Sequence, residues 1–314
     1  MFLCVSLNPA IDKRLTLTVL ERARVNRARA VQSFPGGKST HVAMVLRTLG
    51  GNPRWIGPCG GASGQELTAG LSALGIQATT CTTLQSTRTN LEILEDDGNF
   101  TEILEPGSAL SLAEWVEFES ACRNLFREEG ENASVIFSGS LPAGATPRLY
   151  ADLITGARGF GCKTFLDTSG EPLRLGLADK PHFVKPNREE AAQLLGKPVR
   201  ALSDAVSAVR QLLSLGAESA ALSLGSEGLL FCAGADAPIL FAPVVPLRPR
   251  STVGCGDSAM AGFAFGIASR YSPEDTLRLA AACGAANCSA DSPGAARLEN
   301  IRDFQQQISL QTLD

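Results

Sequence analysis

A mostly parallel α/β sheet with helices on its faces, and a small β subdomain over one edge, is the architecture this sequence predicts. Three observations lead to it. Strand-length apolar runs alternate with helical patterns, a Gly, Pro or Asp turn signal follows each run, and two segments break the rhythm. With 314 residues, 44% hydrophobic and 19% charged, the chain is long enough to build a core without disulfides or a structural metal.

The elements follow in order. Residues 15–33 mix polar and basic side chains with Val and Leu, the first break. Phe34-Pro35-Gly36-Gly37-Lys38-Ser39-Thr40-His41 is a glycine turn that leads into a helical pattern through Leu46 and Leu49. The second break is residues 90–105. There Leu91-Glu92-Ile93-Leu94 and Phe100-Thr101-Glu102-Ile103 flank Asp96-Asp97-Gly98-Asn99, the pattern of a hairpin. So few strands cannot bury two faces, so they are placed over the main sheet's edge. Val135-Ile136-Phe137, Thr164-Phe165-Leu166, His182-Phe183-Val184 and Ala220-Ala221-Leu222-Ser223-Leu224 read as core strands, and residues 205–215 as an intervening helix. Residues 298–314 read as a polar helix or tail.

Composition excludes several classes. A net charge of −4 without a long basic or acidic block argues against bulk nucleic-acid binding. No run reaches the ~18 apolar residues of a membrane span, and the start lacks a signal-peptide pattern, so a cytoplasmic protein is expected. Nine Cys without any C-x-x-C pair fit reduced thiols used as small core residues. His41 and His182 are the only imidazoles, which leaves catalysis to carboxylates and backbone amides.

Three stretches can do chemistry. In Ser251-Thr252-Val253-Gly254-Cys255-Gly256-Asp257-Ser258, two glycines let successive N–H groups converge at a helix start, an anion site. Asp257 there could take a proton from an attacking hydroxyl, or could merely cap the helix. Gly36-Gly37-Lys38 either brings backbone close to a ligand or is an ordinary loop. It is no Walker A motif, because Gln32 stands where the first glycine is required, and Ala259 likewise breaks a Rossmann fingerprint. Lys185-Pro186-Asn187-Arg188-Glu189-Glu190 leaves the sheet at its carboxyl edge, where open α/β sheets bind ligands. Asn187 and Glu190 could serve phosphate and a hydrated Mg²⁺, or form a capping box.

Seven pieces stand in a recognisable order: Leu7-Asn8-Pro9-Ala10-Ile11-Asp12, Gly36-Gly37-Lys38, Thr87-Arg88-Thr89-Asn90, Ser138-Gly139-Ser140-Leu141-Pro142, residues 185–190, Ser223-Leu224-Gly225-Ser226-Glu227-Gly228, and residues 251–258. Together, over residues 1–297, they resemble the PfkB (ribokinase-like) family of sugar kinases. They are most similar to its branch acting on sugar phosphates: 1-phosphofructokinase, tagatose-6-phosphate kinase and the minor 6-phosphofructokinase.

The resemblance implies a ribokinase-like α/β/α sandwich with a β lid. Its main domain would be residues 1–12, 34–85 and 106–314, and its lid 13–33 and 86–105. It implies an ATP-dependent kinase of a ketohexose phosphate, such as fructose 1-phosphate, fructose 6-phosphate or tagatose 6-phosphate, working with Mg²⁺ and often dimeric through the lid. Asp257 would be the base, and the amides of Gly254, Cys255 and Gly256 the anion hole. Lys185, Asn187, Ser223, Gly225, Gly228 and Asn287 would lie along the nucleotide, with Glu190 holding metal through water. Asp12, Gly37, Lys38 and Asn90 would face the sugar, and Arg27 and Arg88 its phosphate, unless each arginine forms a surface ion pair. Two departures stand out. His41 replaces an amide that reads sugar hydroxyls, so it either keeps one such contact or is a core imidazole. Cys255 replaces a smaller residue, as a size change or as a low-pKa thiol at a helix start. A free-sugar or nucleoside kinase, or a sugar-phosphate sensor without turnover, remains the alternative.

Overall fold

The computed structural model describes residues 1–313. The first strand, β1 (Phe2–Val5), is apolar throughout and buried, as a central parallel strand must be. β2 (Ala10–Leu17) and β3 (Ala30–Gly36) then leave the main sheet as an antiparallel pair. α1 (Lys38–Thr48), β4 (Pro53–Cys59), α2 (Gly61–Ala73) and β5 (Gln77–Thr82) return to it. β6 (Arg88–Glu95) and β7 (Phe100–Ile103) form the expected hairpin.

A long α/β run follows: α3 (Leu112–Glu129), β8 (Ser134–Ser138), α4 (Leu149–Gly159), β9 (Lys163–Asp167), α5 (Gly170–Ala178) and β10 (Phe183–Val184). After α6 (Arg188–Leu195) and α7 (Leu202–Ser214) come β11 (Ser219–Ser223), β12 (Gly228–Cys232) and β13 (Ile239–Pro243). The chain closes with α8 (Cys255–Ala268), α9 (Pro273–Cys288), α10 (Leu298–Gln307) and β14 (Gln311–Leu313). Local sequence explains several ends. Ser111 and Glu114 form a capping box at α3, and Ser272 caps α9 ahead of Pro273.

The ten-stranded sheet runs β14-β13-β12-β11-β10-β9-β8-β1-β4-β5, parallel from β11 to β5 and antiparallel from β11 to β14. Side-chain alternation splits its residues between two cores. Phe2 and Cys4 face α1, α8 and α9, while Leu3 and Val5 face the side of α3, α4 and α7. Phe263 of α8 packs on Phe183 and Phe231, with ring centroids 4.7 and 5.1 Å apart, which fixes that helix to the sheet.

The small sheet is ordered β3-β2-β6-β7, with β2 and β6 parallel. It begins at Ala10 and ends β3 at Gly36, a few residues beyond the expected lid boundaries at 13 and 33. The tail also differs from expectation. After α10 the chain adds the edge strand β14, whose three residues are too short to carry a periodic signal and are held by pairing with β13. Among the described residues, no helix is long and apolar enough to cross a membrane.

Candidate active site

The carboxyl ends of the parallel strands, the buried side of the small sheet and the start of α8 enclose one cavity of about 1370 Å³. Its small-sheet end is polar although the side chains there are buried. The register sets Asp12 of β2 beside Asn90 of β6, and Asn90 Nδ2 donates to Asp12 Oδ1 at 2.8 Å. One step on, Arg14 and Glu92 make a buried ion pair at 2.8 Å. Gly36 lies opposite, where a Cβ would stand 2.3 Å from the Asp12 carboxyl. Only glycine leaves room for that carboxylate.

Arg88 reaches the same end. Its Nη1 and Nη2 donate to the carbonyls of Glu105 and Asn8 at 2.7 and 3.0 Å, while its buried Nε has no partner among the described residues. Two backbone carbonyls thus hold the guanidinium where its side chain lines the cavity. Arg27 does not join it. It is exposed on the segment between β2 and β3 and does not line the cavity, so the expected convergence of two arginines is absent within the chain.

The centre belongs to His41, in the first turn of α1. Its Nδ1 lies 2.8 Å from Asp257 Oδ2 and its Nε2 lies 3.0 Å from Asp12 Oδ2. Burial opposes charge on the ring, but the hydrogen bonds and charges of Asp12 and Asp257 prevail and raise its pKa to about 10. Burial would likewise raise the Asp12 carboxyl, yet His41, Asn90 and Arg88 together bring it below its ordinary value. Asp257, in the first turn of α8, is 6% exposed, and its Oδ1 has no hydrogen-bond partner among the described residues.

At the start of α8, Gly254 adopts a left-handed φ of 76°, which frees the turn to present its amides. The Cys255 N–H closes that turn on Thr252 O at 3.3 Å, so of the three expected amides it is the one already engaged. Cys255 Sγ lies 2.9 Å from Cys288 Sγ, and that contact together with burial pushes its thiol pKa up. Both influences run against a low-pKa thiol at this helix start.

Lys185 and Lys38 meet on Asp167, at 3.0 and 3.4 Å. Burial alone would raise Asp167, but the two ammonium groups hold it below the usual range, and Asp167 in turn raises Lys38. Asn187 and Glu190 do form the capping box, each side chain accepting from the other's N–H at 2.8 Å. Glu190 uses only Oε2 there, and its Oε1 stands 3.9 Å from Lys38 Nζ. Capping and a role toward metal are thus compatible. Among the described residues, no group of three His, Cys, Asp or Glu could hold a metal ion by itself.

The cavity lining includes Asp12, Gly37, Lys38, His41, Arg88, Asn90, Lys185, Asn187, Glu190, Ser223, Gly225, Gly228, Gly254, Cys255, Gly256 and Asp257. Asn287 is not among the lining residues. It is buried behind the anion hole, where Nδ2 donates to Val253 O at 2.7 Å and Oδ1 accepts from Gly294 N at 2.8 Å. Expected beside the nucleotide, it instead ties down the loop that shapes the hole. The sequence reading also missed Asp167, although an acidic residue ending an apolar strand is the same carboxyl-edge signal that exposed Lys185.

Residues 6–300 match the pfkB family carbohydrate kinase. The chain is 32% identical over 313 residues to tagatose-6-phosphate kinase of Staphylococcus epidermidis, with 99% of each chain covered. It is 30% identical over 310 residues to 1-phosphofructokinase of Vibrio cholerae, covering 98% of this chain and 96% of that one. Among solved structures, phosphofructokinase-2 from Escherichia coli in complex with potassium superposes with a TM-score of 0.91 at 26% identity, with 98% of both chains covered.

Proposed function

The chain belongs to the pfkB family of carbohydrate kinases, and from that premise we propose that it transfers the γ-phosphoryl group of ATP to a hydroxyl of a ketohexose phosphate such as fructose 1-phosphate, fructose 6-phosphate or tagatose 6-phosphate. One observation carries this reading. Asp257, whose Oδ1 has no partner among the described residues, lines the same cavity as the glycine-rich start of α8 and the guanidinium-bearing Arg88. A proton acceptor, an anion-binding helix start and a cation for the acceptor's own phosphate are the three parts such a transfer needs.

In this reading the acceptor lies against Asp12, Asn90, Gly37 and Lys38, with its phosphate on Arg88. Asp257 Oδ1 takes the hydroxyl proton as that oxygen bonds to the γ-phosphorus and the bond to ADP breaks. The amides of Gly254 and Gly256 hold the developing charge. Lys185, Asn187, Ser223, Gly225 and Gly228 line the donor side. Mg²⁺ would neutralise phosphate charge, held through water by Glu190 and chiefly by the phosphates themselves. Asp167, paired with the buried Lys185 and the partly exposed Lys38, keeps two cations beside the reacting groups.

A cytoplasmic location and a dimer through the small sheet complete the proposal. The exposed Val25, Val31, Ile103 and Leu104 of that sheet and its loops support the dimer.

ADP release measured with fructose 1-phosphate, fructose 6-phosphate, tagatose 6-phosphate and free fructose tests the assignment. A charged hydrogen bond to phosphate is worth roughly 1.5–3 kcal/mol, so a sugar phosphate should exceed fructose in kcat/KM by about tenfold to a hundredfold. Preference for fructose would make it a free-sugar kinase, and binding without ADP release would make it a sensor.

A further inference from the structure

We infer that His41 is a charged clamp, an imidazolium that donates from both ring nitrogens and ties the acceptor-reading Asp12 to the base Asp257, so positioning the base. The inference rests on the kinase reading for the identity of the base, and on geometry for the clamp. A neutral imidazole has one N–H and one lone pair. Here each nitrogen faces a carboxylate oxygen, at 2.8 Å on Asp257 and 3.0 Å on Asp12. A neutral ring would turn its lone pair onto one of them, unless that carboxyl carried the proton and, at Asp257, ceased to be a base. The doubly protonated ring satisfies both contacts and leaves both aspartates ionised.

The surroundings permit the charge. Carboxylates face this region from β2 (Asp12), β6 (Glu92), β7 (Glu102) and α8 (Asp257). The cations nearby are Arg14, paired with Glu92, Arg88, which acts on Asp12 and Glu105, and Lys38, which acts on Asp167, Asp257 and Glu190; none of them makes a hydrogen bond to Asp12 or Asp257. The clamp is also rigid. His41 is 4% exposed, and Gly294 packs so close that a Cβ there would stand 3.1 Å from His41 Cα.

Two consequences follow for the chemistry. By occupying Asp257 Oδ2, the ring directs Oδ1 to the acceptor. Because the same ring holds Asp12, an acceptor that shifts Asp12 also shifts the base. His41 itself neither gains nor loses a proton in the transfer, so it is a positioning residue.

Two measurements test this. The first is ¹⁵N NMR of the ring nitrogens in the parent protein, with His182→Gln used to assign the two histidines. At about pH 8, where an ordinary His is neutral, His41 should show both nitrogens protonated. A ring that is neutral there overturns the clamp, whatever the activity. The second is the steady-state kinetics of His41→Asn and His41→Gln. Loss of the clamp should lower kcat by about tenfold or more while the KM for ATP hardly moves. A parental kcat in both variants overturns the role in positioning the base. A parent that turns over no sugar phosphate refutes the kinase reading, and the NMR result still decides the clamp.

Discussion

Asp257→Asn separates a catalytic carboxylate from a structural one. The substitution keeps the side chain's size, and an amide oxygen can still accept from His41 Nδ1 in place of Asp257 Oδ2. What it loses is charge and the ability to take a proton. On the structural side, a hydrogen bond between two ions becomes one between the imidazolium and a neutral amide oxygen, a change within the roughly 1.5–3 kcal/mol range of bonds to charged groups. The ring keeps its second carboxylate on Asp12. The net cost to stability is therefore about 1 kcal/mol, a fall in Tm of roughly 2 °C for a chain of this length. On the catalytic side, losing a general base typically costs ~10²–10⁴ in rate. Steady-state ADP release and a thermal melt on the same preparation read both quantities. A kcat within a few-fold of the parent would show that Asp257 does no more than hold His41 and the start of α8.

Arg88→Ala should raise KM for a sugar phosphate about tenfold or more while KM for ATP hardly moves, and an intact sugar-phosphate KM would remove Arg88 from the acceptor site. Gly36→Ala places a methyl group 2.3 Å from the Asp12 carboxyl. It should weaken acceptor binding in initial-rate kinetics and lower Tm by an overpacking cost of about 1–3 kcal/mol, and a variant with parental KM would show that the loop can yield. His41 titrates higher in the fold than its ordinary 6.5, at about 10. The stability it contributes is therefore full below pH 6.5, declines as pH rises, and is gone above about 10. Melting curves between pH 6 and 10 should slope downward for the parent, and His41→Asn should flatten much of that slope.

The parallel sheet was legible because each core strand is a short apolar run closed by a turn residue, and the hairpin because Asp96-Asp97-Gly98-Asn99 separates two alternating strands. The glycine-rich start of α8 and the position of Asp257 were legible for the same local reason. What sequence could not reach depends on contacts between distant segments. His41 meets Asp12 and Asp257 only because α1, β2 and α8 converge, and no spacing along the chain encodes that. Asn287 sits where the resemblance put a nucleotide contact, yet its amide is consumed by Val253 and Gly294. Arg27 and Arg88 look equivalent as basic residues near lid strands, but only Arg88 is bent inward, by two carbonyls. β14 escaped notice because three residues carry almost no pattern of their own.

The place of β1 in the sheet bears on how the molecule comes into being. This short strand lies between β4 and β8, with Phe2 level with both Pro53 and Ser134, and the N-terminal amine donates to Asn132 O, 131 residues away. Pairing with β4 is therefore available early in synthesis, but the other flank stays open until the chain has emerged past β8. Through that interval an apolar strand presents unpaired N–H and C=O groups, the condition that invites association with a second nascent chain. Loop-closure entropy grows only slowly with length, so the delay is one of order rather than of energy. The seam between β1 and β8 thus becomes available only after every strand of the small sheet has been made, with β9 to β14 still to follow.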